Sequence, residues 1–349
     1  MLNTDKTRKL NALLSRADEL IEEGHLREAL EVARKARDLD PRPEVLCLEG
    51  GLLAELGEVE GAISVFESVL DRDRDNLEAM GALADLLIYG GSGEPEEVER
   101  GLALCRRAMK LARGDEELQA ELSLLEGIAL SGLGAYAEAL GSLERAQKVL
   151  GEDPELLQEL GIVLFHLWRF DDARKVFERL LEREPHAAHA LHYMGVLEER
   201  RGNRDRADEF FRRAHETDPE TIPLPYRISP EEFDRLVEEA ISELPGKVRR
   251  YLSNVAIAVE DYPQESQFGG DETVTPSVLG VFTGSPLGEK GTFDPWSHFP
   301  NNIILFQRNL ENSVGSREEL VEEIGITLLH EVGHFLGLDE DELRERDLD

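Results

Sequence analysis

Two histidines and a glutamate near the end of the sequence have the types and the spacing of a metal site. His330 and His334 are four residues apart, and Glu331 directly follows the first histidine. Because an α-helix turns once in about 3.6 residues, both imidazole rings would lie on one helix face, close enough to bind a single ion. Glu331 would project beside that ion, where its carboxylate can take a proton from metal-activated water.

A catalytic zinc site needs three protein ligands and an open position for water. Gly337 allows the chain to turn back sharply after the helix, so that the residues beyond it can approach the ion. The candidates for the third ligand are Asp339, Glu340 and Asp341. We favour Glu340 because it stands ten residues after the first histidine, and the two aspartates stay open as alternatives.

Capping boxes mark the starts of two helices around this motif. Ser316 and Glu319 begin the helix that carries the histidines and reaches Leu336, and Ser229 and Glu232 begin an earlier helix. Alternating or continuous apolar runs predict three strands between the two helices, at 255–259, 277–282 and 302–306. We expect the last of these strands to be a sheet edge that can pair with an extended peptide.

The segment 327–340 resembles the minimal zincin-like metallopeptidase family, whose motif is His-Glu-x-x-His-x-x-Gly-x-x-Asp. The likeness extends over residues 228–345, where the order of helices and strands is similar. The resemblance implies zinc as the cofactor, His330 and His334 as its ligands, and Glu331 as the general base. It also implies a third ligand at the position of Glu340, where this chain has glutamate in place of the usual aspartate.

A repeated pattern fills the first two thirds of the chain. One alanine column is followed by phenylalanines four residues later and preceded by glycines twelve residues earlier. The alanines are Ala29, Ala62, Ala139, Ala173 and Ala207; the phenylalanines are Phe66, Phe177 and Phe211; the glycines are Gly50, Gly127, Gly161 and Gly195. Small residues let two helices of a hairpin approach closely, and the aromatic ring fills the gap to the next hairpin. The pattern therefore predicts a stack of helical hairpins.

These columns resemble the tetratricopeptide repeat, whose period is about 34 residues. About six units fit residues 8–219, and the third is irregular, with a loop insertion at 90–95 and Gly101 in place of the alanine. The resemblance implies a right-handed superhelix with a groove that holds a peptide or a partner helix. The expected fold class is an all-α superhelix of repeats (1–219), a Pro-rich linker (220–228) and a small α+β zincin-like domain (229–349).

Composition limits the partners of this chain. The formal net charge is −35, and acidic residues are spread along the whole chain, so phosphate backbones and anionic lipids should be repelled. We therefore expect protein or peptide partners rather than nucleic acid or membrane. The two cysteines predict no disulfide framework, and we see no signal peptide or bilayer-spanning run, so a cytoplasmic location is expected.

The sequence favours a zinc metallopeptidase whose repeats recruit a protein substrate or a partner. Two alternatives remain: a scaffold whose zincin domain binds metal with little turnover, and a metal hydrolase of non-peptide substrates. His298 and Trp296, in the loop before the last strand, are weaker candidates for lining the cleft. The ladder of His186, His189 and His192 has a metal-like spacing, but we interpret it as incidental because it lies within a repeat hairpin.

Overall fold

The computed structural model describes residues 2–91, 94–252, 255–268, 274–284 and 301–338. The chain divides into two compact units, Met1–Val163 and Leu164–Asp349. The first unit consists of repeat helices, whereas the second combines the last repeat helices with every strand of the described chain. The last hairpins therefore group with the C-terminal domain, and the boundary at 220–228 remains a prediction about which parts fold independently.

The described repeat region consists of helices joined by short turns, as the sequence pattern predicts. Paired in order as hairpins, they are α1 (Leu2–Glu22) and α2 (Leu26–Leu39); α3 (Pro43–Glu55) and α4 (Val59–Arg72); α5 (Leu77–Asp85) and α6 (Pro95–Leu111); α7 (Glu116–Gly132) and α8 (Tyr136–Leu150); α9 (Pro154–His166) and α10 (Phe170–Arg183); α11 (Ala188–Arg200) and α12 (Arg204–Thr217). The predicted all-α repeat architecture is therefore confirmed.

Close helix approach explains the glycine and alanine columns. A Cβ atom on Gly50 would lie 2.8 Å from the ring of Phe66, and one on Gly195 would lie 2.7 Å from the ring of Phe211. The alanines of the repeated column are buried, with Ala62 and Ala173 both fully so. Any larger side chain at these positions would push the two helices of a hairpin apart.

The irregular third unit contains a wider helical turn just before its predicted insertion at 90–95. A π-helical segment, Leu86–Gly90, extends α5 before the chain turns into α6. Gly101 packs beneath this segment, and a Cβ atom there would lie 2.8 Å from Ile88. Because the wider π turn brings Ile88 over this position, glycine stands where the other units have alanine.

One turn departs from the pattern of the other hairpins. The residue five positions before the repeated alanine has a left-handed backbone and is glycine in four hairpins: Gly24, Gly57, Gly134 and Gly202. In the fifth hairpin the same position is Trp168, with φ of +61°. This conformation costs a residue with a Cβ atom about 1–2 kcal/mol, so the indole occupies a place that the backbone favours for glycine.

The described part of the C-terminal domain combines four α-helices and a 3₁₀ turn with a three-stranded sheet. Its elements are α13 (Pro230–Glu243), α14 (Gly246–Leu252), β1 (Ala256–Glu260), a 3₁₀ turn (Glu265–Gln267), β2 (Gly280–Thr283), β3 (Asn302–Phe306), α15 (Gln307–Ser313) and α16 (Arg317–Leu336). The strand order is β1-β3-β2, with β1 parallel and β2 antiparallel to β3. The prediction that 302–306 is an edge strand is wrong: β3 pairs on both sides, and the described sheet has β1 at one edge and β2, hereafter the edge strand, at the other.

The serine half of each predicted capping box is present at the start of a long helix of this domain, and the Glu319 side chain accepts the N–H of Gly315 instead of that of Ser316. Ser229 accepts the N–H of Glu232 at the start of α13, and Ser316 accepts the N–H of Glu319 at the start of α16. Helices α13 and α16 pack together through one apolar core, shared with β3. Its members include Phe233, Leu236, Ile303, Leu305, Ile324, Leu328 and Val332. The core thus fixes the helix that carries the histidines.

The predicted linker is not a free connection. The N–H of Tyr226 donates to the carbonyl oxygens of Glu311 and Val314, both at 3.2 Å. Tyr226 and Ile228 also pack against the apolar core of the C-terminal domain. The prolines of 220–228 exclude a helix, as expected, but the end of the segment is docked on α15.

Candidate metal centre

The imidazole rings of His330 and His334 face each other on α16. Their Nε2 atoms are 3.1 Å apart, and the rings are nearly perpendicular, at 82°. Two nitrogens bound to one tetrahedral zinc ion at about 2.0–2.1 Å would be separated by about 3.3 Å. Both side chains are partly exposed. The pair is therefore arranged as two ligands of one ion, with access from solvent.

The turn after α16 fixes the ring of His334. Gly337 is left-handed, with φ of +85°, and the N–H of Leu338 reaches back to the carbonyl of Gly333 at 3.1 Å. This turn brings the carbonyl oxygen of Leu338 to 3.3 Å from Nδ1 of His334. With the proton on Nδ1, the lone pair of Nε2 points to the other imidazole. Such an outer hydrogen bond commonly orients a metal-binding histidine.

The side chain of Glu331 extends from α16 towards the edge strand, β2. It is 5% exposed, and its Oε2 atom accepts the backbone N–H of Phe282 at 2.5 Å. Strand β2 approaches the helix closely at Gly280, where a Cβ atom would lie 2.7 Å from Thr327 and 3.4 Å from Glu331. Glycine at 280 therefore allows the contact that orients this carboxylate beside the histidine pair.

Asn309 is a site-supporting residue that the sequence did not indicate. Its side-chain Nδ2 donates to the carbonyl oxygens of Pro276 at 2.9 Å and Val278 at 2.7 Å, just before β2 begins. Asn309 lies in α15, a short helix that the sequence pattern did not predict. An isolated asparagine after a strand carries no recognisable signal, because its partners are more than thirty residues away.

Several predicted site residues lie outside the described residues: Glu340, Asp339, Asp341, His298 and Trp296. Within the described ranges, no group of three or more His, Cys, Asp or Glu side chains could hold a metal ion. The two histidines of α16 are thus the part of the proposed ligand set that the structure describes. His186 and His189, from the repeat ladder, are exposed side chains.

The two thiols are unsuited to metal binding. Cys47 and Cys105 are both buried, and desolvation raises the pKa of each to about 12. Since a thiolate is the form that binds metal, both cysteines are apolar packing residues. None of the described helices has the length and apolar character required to cross a bilayer.

Comparison with known families agrees with both parts of the chain. Residues 252–349 match the family model described as zincin-like metallopeptidase. Residues 14–88 and 130–193 match two tetratricopeptide repeat models. The chain therefore contains tetratricopeptide repeats followed by a zincin-like metallopeptidase domain, and α16 with its histidine pair lies inside the latter.

Individual relatives resemble the chain more distantly. Tetratricopeptide repeat protein 8 of Caenorhabditis elegans is 25% identical over 158 residues, which is 45% of this chain and 29% of that protein. The type IV pilus biogenesis factor PilW has a TM-score of 0.52 at 18% identity, covering 60% of this chain and 94% of its own. PilF of Pseudomonas aeruginosa has a TM-score of 0.51 at 15% identity, covering 62% and 95%. The two structures show similarity of fold alone.

Proposed function

We propose that this protein is a zinc-dependent metallopeptidase whose repeats bind a protein substrate or a protein partner. The observation that carries the proposal is the 3.1 Å separation of the two Nε2 atoms on α16. The carboxylate of Glu331 follows directly in the sequence, and the helix lies in the segment that matches the zincin-like family. Protein partners fit a chain of repeats and a net charge of −35, and the buried thiols fit a cytoplasmic location.

The proposed ligands are His330, His334 and Glu340. The donor set suits zinc, since imidazole nitrogens and a carboxylate oxygen are its usual protein ligands at catalytic sites. Zinc, when bound, polarises the carbonyl of the scissile bond and makes its water more acidic. Glu331 then takes a proton from the attacking water and passes it to the amine that leaves.

The edge strand supplies a place for the substrate backbone. The carbonyl of Leu279 accepts the N–H of Phe306, so the backbone groups of Gly280 and Phe282 point away from β3. The N–H of Phe282 reaches Glu331 on that side. An extended peptide added along this edge would therefore lie beside the proposed base.

The proposed function is tested by metal analysis and hydrolysis of a peptide library by three proteins. The wild type should bind one zinc per chain and cleave peptides. Glu331→Gln keeps the size and hydrogen bonding of the side chain, so we expect about one zinc per chain and hydrolysis at least about a hundredfold slower. His330→Ala removes a ligand and should lose both zinc and activity.

Three acid variants serve as matched controls for the ligand set. Glu340→Ala should weaken zinc binding more than Asp339→Ala or Asp341→Ala; if Asp339→Ala does the greater damage, the third ligand is wrongly assigned. Equal cleavage by Glu331→Gln and wild type would contradict the proposed base. Zinc binding without cleavage of any peptide would favour the scaffold alternative.

A further inference from the structure

The last repeat hairpin contacts the segment that leads into the edge strand. His192, Val196 and Arg200 follow one another at intervals of four along α11 and therefore share one helix face. A cavity of about 170 Å³ separates this face from Ser277, Leu279 and Asn309 of the C-terminal domain. Next to this face α11 packs on α12, where the ring of Phe211 lies against Gly195 and His192.

Arg200 forms the central contact between α11 and this segment. Its two terminal guanidinium nitrogens donate to the carbonyl oxygens of Pro263 at 3.3 Å and Pro276 at 3.1 Å. Pro263 follows β1 by three residues, and Pro276 precedes β2 by four. One side chain therefore holds both ends of the connection between the two outer strands of the sheet.

Aromatic rings enclose the guanidinium group. Its carbon lies 4.3 Å from the ring centre of Tyr262, 4.8 Å from that of Phe170 and 5.9 Å from that of Trp168. Burial lowers the pKa of Arg200 to about 10, so the group stays charged at neutral pH. A cation held over several ring faces is both fixed in position and stabilised.

Trp168 belongs to this cage despite its unfavourable backbone conformation. It occupies the left-handed turn position that is glycine in four other hairpins. Its indole lies 5.9 Å from the ring of Phe170 and 6.4 Å from that of Phe268, which follows the 3₁₀ turn of the C-terminal domain. Strain that is retained at one position of a repeated turn indicates a role beyond the turn itself.

The cleft beside the cage does not require a separate ligand. It has a volume of about 450 Å³ and includes two aspartates at its rim. Asp171 already pairs with Arg201, and Asp172 pairs with Arg169 and Lys175. The two aspartates of the cleft are thus paired within the repeats, and the contacts of Arg200 point to a role in holding the neighbouring domain.

A chain of hydrogen bonds continues from Arg200 to the proposed base. The carbonyl of Pro276 accepts from both Arg200 and Asn309, which also holds Val278. Two residues later β2 begins, pairs with β3 and presents the N–H of Phe282 to Glu331. In each hydrogen bond of this path, a side chain of Arg200, Asn309 or Glu331 contacts a backbone group of the segment or of β2.

We propose that Arg200 is a positioning residue: from the last repeat hairpin it fixes the start of β2, and through β2 the carboxylate of Glu331. The inference deepens the proposed function and rests on it for its catalytic consequence. It makes the α11–α12 hairpin a part of the hydrolytic unit as well as an element of the repeat array.

The test uses the full chain with hydrogen–deuterium exchange and peptide hydrolysis. Arg200→Met keeps the apolar stem but removes every donor, so exchange of the amides in 274–284 should rise and kcat should fall by about tenfold. Zinc content should stay at one per chain, because no ligand is touched. Arg200→Lys keeps the cation in the cage and should recover part of both losses.

Arg201→Met is the matched control, because Arg201 adjoins Arg200 but pairs with Asp171 of α10, within the repeats; it should change neither readout. Unchanged exchange in 274–284 for Arg200→Met would overturn the proposal, as would faster exchange with unchanged kcat. Should Arg200→Met lose helix content, Arg200→Lys alone decides by the same two readouts. If the wild type cleaves no peptide, the proposed function fails, and exchange at Phe282 still decides whether Arg200 holds β2.

Discussion

The repeats of the first unit are stabilised by contacts between residues close together in the sequence, whereas the C-terminal unit (164–349) is stabilised by contacts between residues far apart in it. Buried glutamates of the repeats form hydrogen bonds with arginines 12 to 20 positions away in the sequence: Arg37–Glu49, Arg106–Glu126 and Arg145–Glu126. In the C-terminal unit, polar contacts between distant elements join residues 76 to 84 positions apart: Arg200–Pro276, Arg317–Glu239 and Arg227–Glu311.

This difference has consequences for stability. A hairpin that contacts mainly its neighbours contributes its own stability and that of two interfaces, so an array can lose a unit without collapsing. A domain closed by distant contacts must order most of its chain before those contacts form. We therefore expect damage to stay local in the repeats and to spread in the C-terminal unit.

Truncation should give the largest effect. The fragment 1–219 should fold as a helical array, because its hairpins keep their neighbours. The fragment 229–349 should be much less stable than 164–349, because it lacks Arg227 and the helix that carries Glu199 and Arg200. Circular dichroism and urea titration of the three fragments measure this. Little helix in 1–219, or equal urea midpoints for the other two fragments, would contradict the comparison.

The next largest effect should come from replacing a buried carboxylate, Glu311 in the C-terminal unit or Glu126 in the repeats. Glu311 is fully buried and accepts from Arg227 at 3.1 Å and Arg308 at 2.7 Å, whose side chains are 25% and 12% exposed. Glu311→Gln removes a buried carboxylate from two poorly hydrated cations, which then keep Glu199 and Asp261 as their carboxylate partners, so we expect a loss of about 3–5 kcal/mol in the free energy of unfolding. Urea unfolding of 164–349 provides the measurement.

Glu126→Gln is the counterpart in the repeats. Glu126 binds Arg106 and Arg145, but these arginines are 45% and 54% exposed and can turn into water. The expected loss is about 1–2 kcal/mol, with faster amide exchange confined to α6, α7 and α8. Equal losses at Glu126 and Glu311 would mean that the span of the contacts does not matter.

The same difference explains what the sequence could predict. The repeat columns, the capping serines and the histidine pair depend on residues within about one helix turn or one repeat period, so spacing reveals them. The placing of β3 at the sheet centre depends on pairing with two earlier strands, β2 at 19 to 25 residues before the paired positions and β1 at 46 residues before them. Arg200 reads as an ordinary helix-end arginine, since its partners follow some sixty residues later.

Trp168 is an intermediate case. The repeat columns align it with four turn glycines, so a bulky residue at a position that needs a left-handed backbone was visible in the sequence. What it contacts was not visible, because Phe268 lies a hundred residues further along the chain. A departure from a repeated pattern thus marks a residue for attention, and only the fold shows which neighbour accounts for it.

Two adjacent glycines of α3 should differ in sign, and the stabilisation expected at one of them is the smallest effect. A Cβ atom at Gly50 would lie 2.8 Å from the rigid ring of Phe66, whereas one at Gly51 has nothing within 4 Å. Gly50→Ala should therefore destabilise the chain by about 1–3 kcal/mol through overpacking. Gly51→Ala should stabilise it by about 0.5–1 kcal/mol, because alanine loses less backbone entropy in a helix. Urea unfolding with amide exchange should show both changes confined to α3 and its neighbours. Equal signs for the two variants would show that close approach does not explain the glycine column, and a response spread through the whole unit would contradict the local character of the repeats.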